Sequence, residues 1–172
     1  MNDKEKQLMK SIEKNIENLS KLNNYDTEKL LYSLEHMTKE LLYFYAKIAK
    51  NQKPDNIIYK LKNRPKEHQL IYVNLGRGFP KELNDGHWCY VYKNYGYKLL
   101  VIPATSIKKE SRYNSEFDLD IISSENENTV ISRLSITDMR VIDIQRIDER
   151  KKYKNVLTDR HFIEKFIMKK MF

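Results

Sequence analysis

The spacing of apolar residues changes once along this chain of 172 residues, near residue 70, and this change constrains the fold more than any other feature. Before it, apolar side chains recur every three or four positions, which is the spacing of one side of a helix. After it they alternate with polar residues or form short β-branched runs, which is typical of strands. The sequence therefore predicts an α+β protein whose helices precede a β-rich domain.

Two helices are predicted before the change. The first covers residues 4 to 22, and Asp26 is placed to cap the second. Pro54 sets a limit to the second helix, because the residue before a proline avoids the helical conformation. We therefore expect a helical hairpin over residues 1–52, a linker over residues 53–69 and a β-domain over residues 70–172. The apolar stripes of the two helices consist of Leu8, Met9, Ile12, Ile16, Leu19, Leu22, Leu30, Leu34, Met37, Leu41, Phe44, Tyr45 and Ile48.

The β-domain is expected to contain six strands and one final helix. Asn94-Tyr-Gly96 indicates a hairpin turn between two of the strands, and residues 107 to 117 are predicted to form a polar loop. Thr158 or Asp159 can cap the helix, with Phe162, Ile163, Phe166, Ile167 and Met171 on one face. The predicted strands are Leu70–Leu75, Trp88–Lys93, Lys98–Pro103, Asp118–Ile122, Thr129–Arg133 and Arg140–Asp143.

The charge distribution favours a polyanionic partner for the β-domain. The net charge is +8, and it divides into +1 before Lys53 (9 basic, 8 acidic) and +7 from there on (23 basic, 16 acidic). A basic surface attracts phosphates, although lysine-rich surfaces also serve solubility alone. The single cysteine cannot form an internal disulfide, and neither a signal peptide nor a membrane span is predicted. We therefore expect a cytoplasmic protein without a membrane partner.

Common cofactor and metal motifs are missing from the sequence. There is neither a Gly-x-x-x-x-Gly-Lys nor a Gly-x-Gly-x-x-Gly loop, and no Gly-x-Ser-x-Gly elbow. The four histidines are scattered and lack the spacing of metal ligands. Glu116, Asp118 and Asp120 alternate along a predicted strand, which is typical of a solvated face. We predict neither a cofactor nor a metal.

Four segments, each an apolar run with polar groups at its end, follow one another between Ile71 and Arg146. They read Ile71-Tyr-Val-Asn-Leu-Gly76, Glu82-Leu-Asn-Asp-Gly-His-Trp-Cys-Tyr-Val91, Leu99-Leu-Val-Ile-Pro-Ala-Thr-Ser106 and Asp138-Met-Arg-Val-Ile-Asp-Ile-Gln-Arg146. This ordered set resembles the MazF/PemK family of toxin endoribonucleases over roughly residues 68 to 172. The resemblance implies a small antiparallel SH3-like β-barrel of the MazF/CcdB type with a C-terminal helix.

The resemblance also implies site residues. Thr105 stands where the family has its catalytic Thr, with Ser106 beside it, and Glu82 stands where the family has a loop Glu. Ser132 precedes Arg140 by eight residues, as the corresponding Ser does, and Arg140 opens a segment similar to Arg-Thr-Ile-Asp. We expect Glu82, Ser106, Ser132 and Arg140 to contact or position substrate. Glu82 can equally be a loop hydrogen-bond acceptor. For Arg140 and Asp143 we prefer a structural ion pair, or orientation of the dimer interface, to direct catalysis.

His87 departs from the family pattern, which has a catalytic Arg after the loop glycine. Arginine stabilises phosphate charge but is a poor base, whereas histidine exchanges protons near neutral pH. His87 therefore either keeps the site active with altered chemistry or marks a weakened enzyme. Lys108 and Lys109 closely follow Thr105 in the sequence. They are expected to contact an RNA backbone, unless they belong to an ordinary solvated loop. Trp88 and Cys89 are expected in the core.

The function implied by the resemblance is metal-independent, sequence-selective cleavage of single-stranded RNA by the toxin of a toxin–antitoxin pair. Members of the family are homodimers and have a cognate antitoxin protein. The alternative is a non-catalytic RNA- or protein-binding module on the same fold. The hairpin has no counterpart in the short toxins. It can pack on its own barrel, mediate dimerisation or cover the RNA groove, and we favour the first two.

Overall fold

The computed structural model describes residues 1–50, 61–107, 116–125 and 128–171. The chain divides into two compact units, Met1–Asn51 and Gln52–Phe172. The first unit is helical, whereas the second consists of strands with one helix, so the predicted α+β class is confirmed.

The helical unit contains α1, Asp3–Ser20, and α2, Thr27–Tyr43, which continues into a π-helical turn at Phe44–Ile48. Asn2 and Glu5 form a reciprocal capping box at the start of α1. Asp26 accepts a hydrogen bond from the backbone N–H of Lys29 at 3.0 Å, which confirms the predicted cap of α2. Both predicted helices are therefore present and begin at recognisable polar caps.

In its described residues the second unit contains seven strands and α3, Arg160–Met171. Six strands coincide with the predicted ones, and most of them are longer at one or both ends. The seventh strand, β7, was not predicted, because its three residues carry only one strongly apolar side chain. The strands are β1 Gln69–Asn74, β2 Gly86–Asn94, β3 Lys98–Ser106, β4 Asp118–Glu125, β5 Asn128–Ser135, β6 Arg140–Asp143 and β7 Lys154–Val156.

Six of the strands close into an antiparallel barrel. Following hydrogen-bonded neighbours gives the ring β1–β2–β3–β5–β4–β7, and β7 pairs with β1 to close it. β6 lies outside this ring and pairs with the first half of β3. β5 pairs with the last residues of β3. β3 therefore changes partner along its length, which brings the ends of β2, β3 and β5 side by side.

Apolar side chains cover both faces of the sheet around β2. Alternate residues of the ring strands point inward and pack with Ile163 and Ile167 of α3, which are buried. The other face of β1, β2 and β3 is covered by Ile142, Ile144 and Ile147 and by Leu61. The inner cluster contains Leu70, Tyr90, Ile102, Ala104, Leu119, Ile121, Leu134, Ile136 and Val156, whereas the outer cluster contains Ile71, Val73, Cys89, Val91, Leu99 and Val101.

Residues 61–68, which the sequence assigned to the linker, pack on the barrel. Leu61 is buried in the outer cluster, and the Pro65 carbonyl accepts a hydrogen bond from the Asn94 side chain at 2.9 Å. Asn94 also confirms the predicted turn, because its carboxamide oxygen accepts the Gly96 N–H at 2.8 Å where Gly96 adopts a φ of 91°. The rest of the predicted linker lies outside the described residues.

Candidate functional site

His87 and Thr105 lie on neighbouring strands and on the same face of the sheet. The pairing of β2 with β3 ends at Trp88 opposite Ala104, and His87 and Thr105 are the next residues of the two strands beyond this pair. Side chains alternate along a strand, and Trp88 and Ala104 belong to the barrel interior. His87 and Thr105 therefore project from the outer face, and His87 is opposite Val73 of β1, which belongs to the outer cluster.

Arg133 extends this arrangement onto β5. It pairs directly with Thr105 on one side and with Asp120 of β4 on the other. Its Nε and Nη2 atoms contact the two Asp120 oxygens at 2.7 and 3.1 Å, which is a bidentate ion pair. The side chain of Arg133 is only 11% exposed and that of Asp120 is 40% exposed, so the guanidinium is held in a fixed plane.

His87, Thr105, Arg133 and Asp120 thus form one line across β2, β3, β5 and β4, which we call the polar row. It combines an imidazole, a hydroxyl, a guanidinium and a carboxylate. His87 and Thr105 were predicted from the sequence, whereas Arg133 was not, and Asp120 was expected on a solvated face. The alternation of acids on β4 was the available signal, because an acid on the outer face of one strand can pair with a base on the next.

Ser106 and Ser132 were expected at the same site as Thr105, but they lie on the opposite face. The two serines face each other in the register of β3 and β5, and Ser132 is also opposite the core residue Ile121. Ser106 is one residue beyond Thr105, so the two-residue period of the strand turns it toward the barrel interior. The structure therefore separates the predicted residues into the polar row and a serine pair at the barrel rim.

Glu82 belongs to a loop that is held by its own side chains. Its carboxylate accepts the Phe79 N–H at 2.7 Å, and Asn84 accepts the Gly78 N–H at 2.5 Å. At the end of the loop, Asp85 adopts a φ of 63°. These contacts fix the segment that leads directly into His87. Glu82 thus has the role of loop acceptor, which was one of its two predicted readings.

Arg140 lies on β6 opposite Val101 of β3. Its Nη2 atom is 3.8 Å from the Asp138 carboxylate, and Asp138 also accepts the Ser135 hydroxyl at 2.7 Å. The predicted ion pair between Arg140 and Asp143 is wrong, because residues three apart on a strand point to opposite faces. Asp143 instead accepts the backbone N–H of Gln145 at 2.8 Å.

Cys89 and Trp88 are in or against the core, as expected. Burial raises the pKa of the Cys89 thiol to about 12, and the positive charge of Arg140 opposes this effect only in part. The thiol therefore stays protonated at neutral pH and is a poor nucleophile. Trp88 packs against the inner cluster, with the Lys154 ammonium 4.0 Å from its ring centroid and Tyr72 in an edge-on contact.

Lys108 and Lys109 lie outside the described residues. Within the part of the chain that the structure describes, no three His, Cys, Asp or Glu side chains are grouped to bind a metal ion. No helix in the same residues is long and apolar enough to cross a bilayer. No model of a known protein family matches this chain, and no curated protein matches it.

Proposed function

We propose that this protein is a metal-independent endoribonuclease that cleaves single-stranded RNA. The polar row carries the proposal, because its imidazole, hydroxyl and guanidinium project from one face of the sheet on three adjacent strands. Cleavage of RNA without a metal needs proton transfer together with donors to the nonbridging phosphate oxygens. A partly exposed histidine and, two strands away in the same row, a fixed arginine supply these two kinds of group.

In the proposed reaction the ribose 2′-oxygen attacks the adjacent phosphorus atom and the bond to the 5′-oxygen breaks. The products are a 2′,3′-cyclic phosphate and a 5′-hydroxyl. Either His87 takes the proton from the 2′-hydroxyl and water supplies one to the leaving 5′-oxygen, or His87 supplies that proton and water takes the first. Thr105 donates a hydrogen bond to the phosphate. Arg133 stabilises the charge that develops on the phosphate oxygens, while Asp120 holds its guanidinium in position.

The resemblance to the MazF/PemK family supports the same proposal. In that family an arginine occupies the position of His87. Because this chain has a histidine there, another group must stabilise the charge of the phosphate. Arg133 can take this role, because its side chain lies two strands away in the same row. We propose accordingly that the barrel is of the SH3-like MazF type, and that the protein is a cytoplasmic homodimeric toxin with a cognate antitoxin.

A non-catalytic RNA- or protein-binding module is the second candidate. The observation that favours it is the ion pair between Arg133 and Asp120, since a cross-strand pair of this kind also occurs as a purely structural feature. A binding module does not require a titrating group at residue 87. The two candidates therefore differ in what the loss of His87 does to cleavage and to binding.

The experiment incubates the purified full-length protein with a long single-stranded RNA in excess EDTA and maps the ends of the fragments. His87→Ala is tested beside it, and His161→Ala, whose side chain on α3 is 91% exposed, is the matched control. We expect discrete cuts with cyclic phosphate and 5′-hydroxyl ends, lost in His87→Ala and kept in His161→Ala. Intact RNA with all three proteins, together with measurable RNA binding, would favour the binding module.

A further inference from the structure

The two N-terminal helices carry apolar residues in a seven-residue pattern. In α1 the residues Met9, Ile12, Ile16 and Leu19 are spaced by three, four and three positions, and in α2 a similar set is spaced by four, three and four. This alternation is the a/d pattern of helices that pack side by side. The set in α2 is Leu30, Leu34, Met37 and Leu41.

We call the line of a and d residues along each helix its seam, and each helix also has apolar residues beside it. Leu8 and Leu22 lie on one flank of the seam in the α1 segment, and Leu31 and Tyr45 lie on one flank of the seam that begins in α2. A seam of a and d positions alone is typical of a two-stranded coiled coil. An apolar face widened at the e or g position is typical of a bundle of more than two helices. The pattern therefore indicates four helices, of which one chain supplies two.

Within the helical unit itself the apolar faces are largely uncovered. No side chain of α1 is buried, and in α2 only Ser33 is buried. Met9 is 55% exposed, Ile12 is 48% exposed and Leu41 is 48% exposed. At about 80 Å² for each half-exposed side chain, the two faces offer on the order of 700 Å². Standard interfaces bury roughly 600–1,000 Å² on each partner, so this area lies within the range of a stable dimer.

The charge of the helices fits a second copy of the same segment. Residues 1–50 contain nine basic and eight acidic side chains, so two copies meet without net repulsion. Helices that bind lipid surfaces instead have a polar face rich in Lys and Arg. We infer that residues 1–48 pair with the same residues of a second copy to form a four-helix bundle. This inference is independent of the proposed nuclease activity.

The test is the mass of the full-length protein in solution, measured by sedimentation from low micromolar concentrations upward. Ile12→Lys places a charge in the seam, whereas Gln7→Lys places the same charge on the opposite face of α1. Because Ile12 is half exposed, its replacement leaves the monomer folded, and circular dichroism checks this for both variants. We expect the wild type and Gln7→Lys to self-associate equally, and Ile12→Lys to associate roughly 100-fold more weakly.

Two results would overturn the inference. In the first, the wild type is a monomer over the whole concentration range, which means that something other than a second copy covers the stripes. In the second, Ile12→Lys has the same mass as the wild type and Gln7→Lys at every concentration, which means that any association uses another surface.

Discussion

Replacement of Glu67 by Gln tests the network that joins the start of α3 to the barrel. Glu67 accepts the Asn94 N–H at 3.1 Å and an Arg160 N–H at 2.7 Å, and the Lys93 ammonium is 3.3 Å away. Its side chain is 22% exposed. These contacts favour the charged form, so the hydrogen bond from Asn94, followed by those from Arg160 and Lys93, lowers the pKa of Glu67 below its usual value.

The size of the effect follows from these contacts. A hydrogen bond to a charged group contributes about 1.5–3 kcal/mol, but Arg160 is 40% exposed and solvent screens its pairing with Glu67. Glutamine keeps an acceptor but loses the charge. We therefore expect Glu67→Gln to lower the free energy of unfolding by about 1–2 kcal/mol at neutral pH. The lowered pKa makes this stabilisation complete above the unfolded-state pKa, near 4.3, and lost as the pH falls through the folded-state value.

The assay is urea unfolding of both proteins at pH 7 and near pH 3, followed by the fluorescence of the single tryptophan, Trp88. The difference in stability should be clear at pH 7 and should be smaller at the lower pH. Glu13→Gln, on an exposed position of α1, is the control and should change nothing at either pH. A difference for Glu67→Gln that is equal at both pH values would refute the electrostatic reasoning, because it would then come from packing alone.

Three further expectations concern the barrel. Arg133→Lys keeps the charge but loses the planar fork, so the proposed RNA cleavage should fall by about 100-fold while RNA binding changes little. An equal loss of both would contradict the proposed role of Arg133. The Cys89 thiol has a pKa raised to about 12, so at pH 8 it should react with a thiol reagent roughly 100-fold more slowly in the folded than in the urea-unfolded protein. Equal rates would count against its burial. Gly86→Ala should destabilise the barrel by about 1–3 kcal/mol in the urea assay, because an added Cβ would lie 2.3 Å from the Tyr72 hydroxyl. An unchanged midpoint would show that Tyr72 moves freely.

Local patterns in the sequence were sufficient for the helices and for most of the strands. Asp26 identified the start of α2 because an N-cap depends only on nearby residues. The turn at Asn94 and Gly96 was equally local. β7 was not predictable in this way, because its strand conformation depends on pairing with β1 and β4, which lie far away in the sequence.

The candidate site was predicted only in part, for a related reason. The resemblance singled out Thr105 and Ser132 together, but the face on which a strand residue lies depends on the register between strands. In that register Thr105 is opposite Arg133, and Ser132 is opposite Ser106 on the other face. This register cannot be read from a single sequence, so the place of Arg133 in the polar row became visible only in the folded sheet.

The closure of the barrel by β7 has a consequence for biosynthesis. β1 and β7 are paired, but almost the whole domain lies between them in the sequence. The ribosome must therefore make the chain through residue 156, and release it from the exit tunnel, before the ring can close. Until then one edge of β1 and one edge of β4 lack their partner. If the protein cuts RNA as proposed, a nascent chain without this closed scaffold spares its own message until residue 156 has left the ribosome.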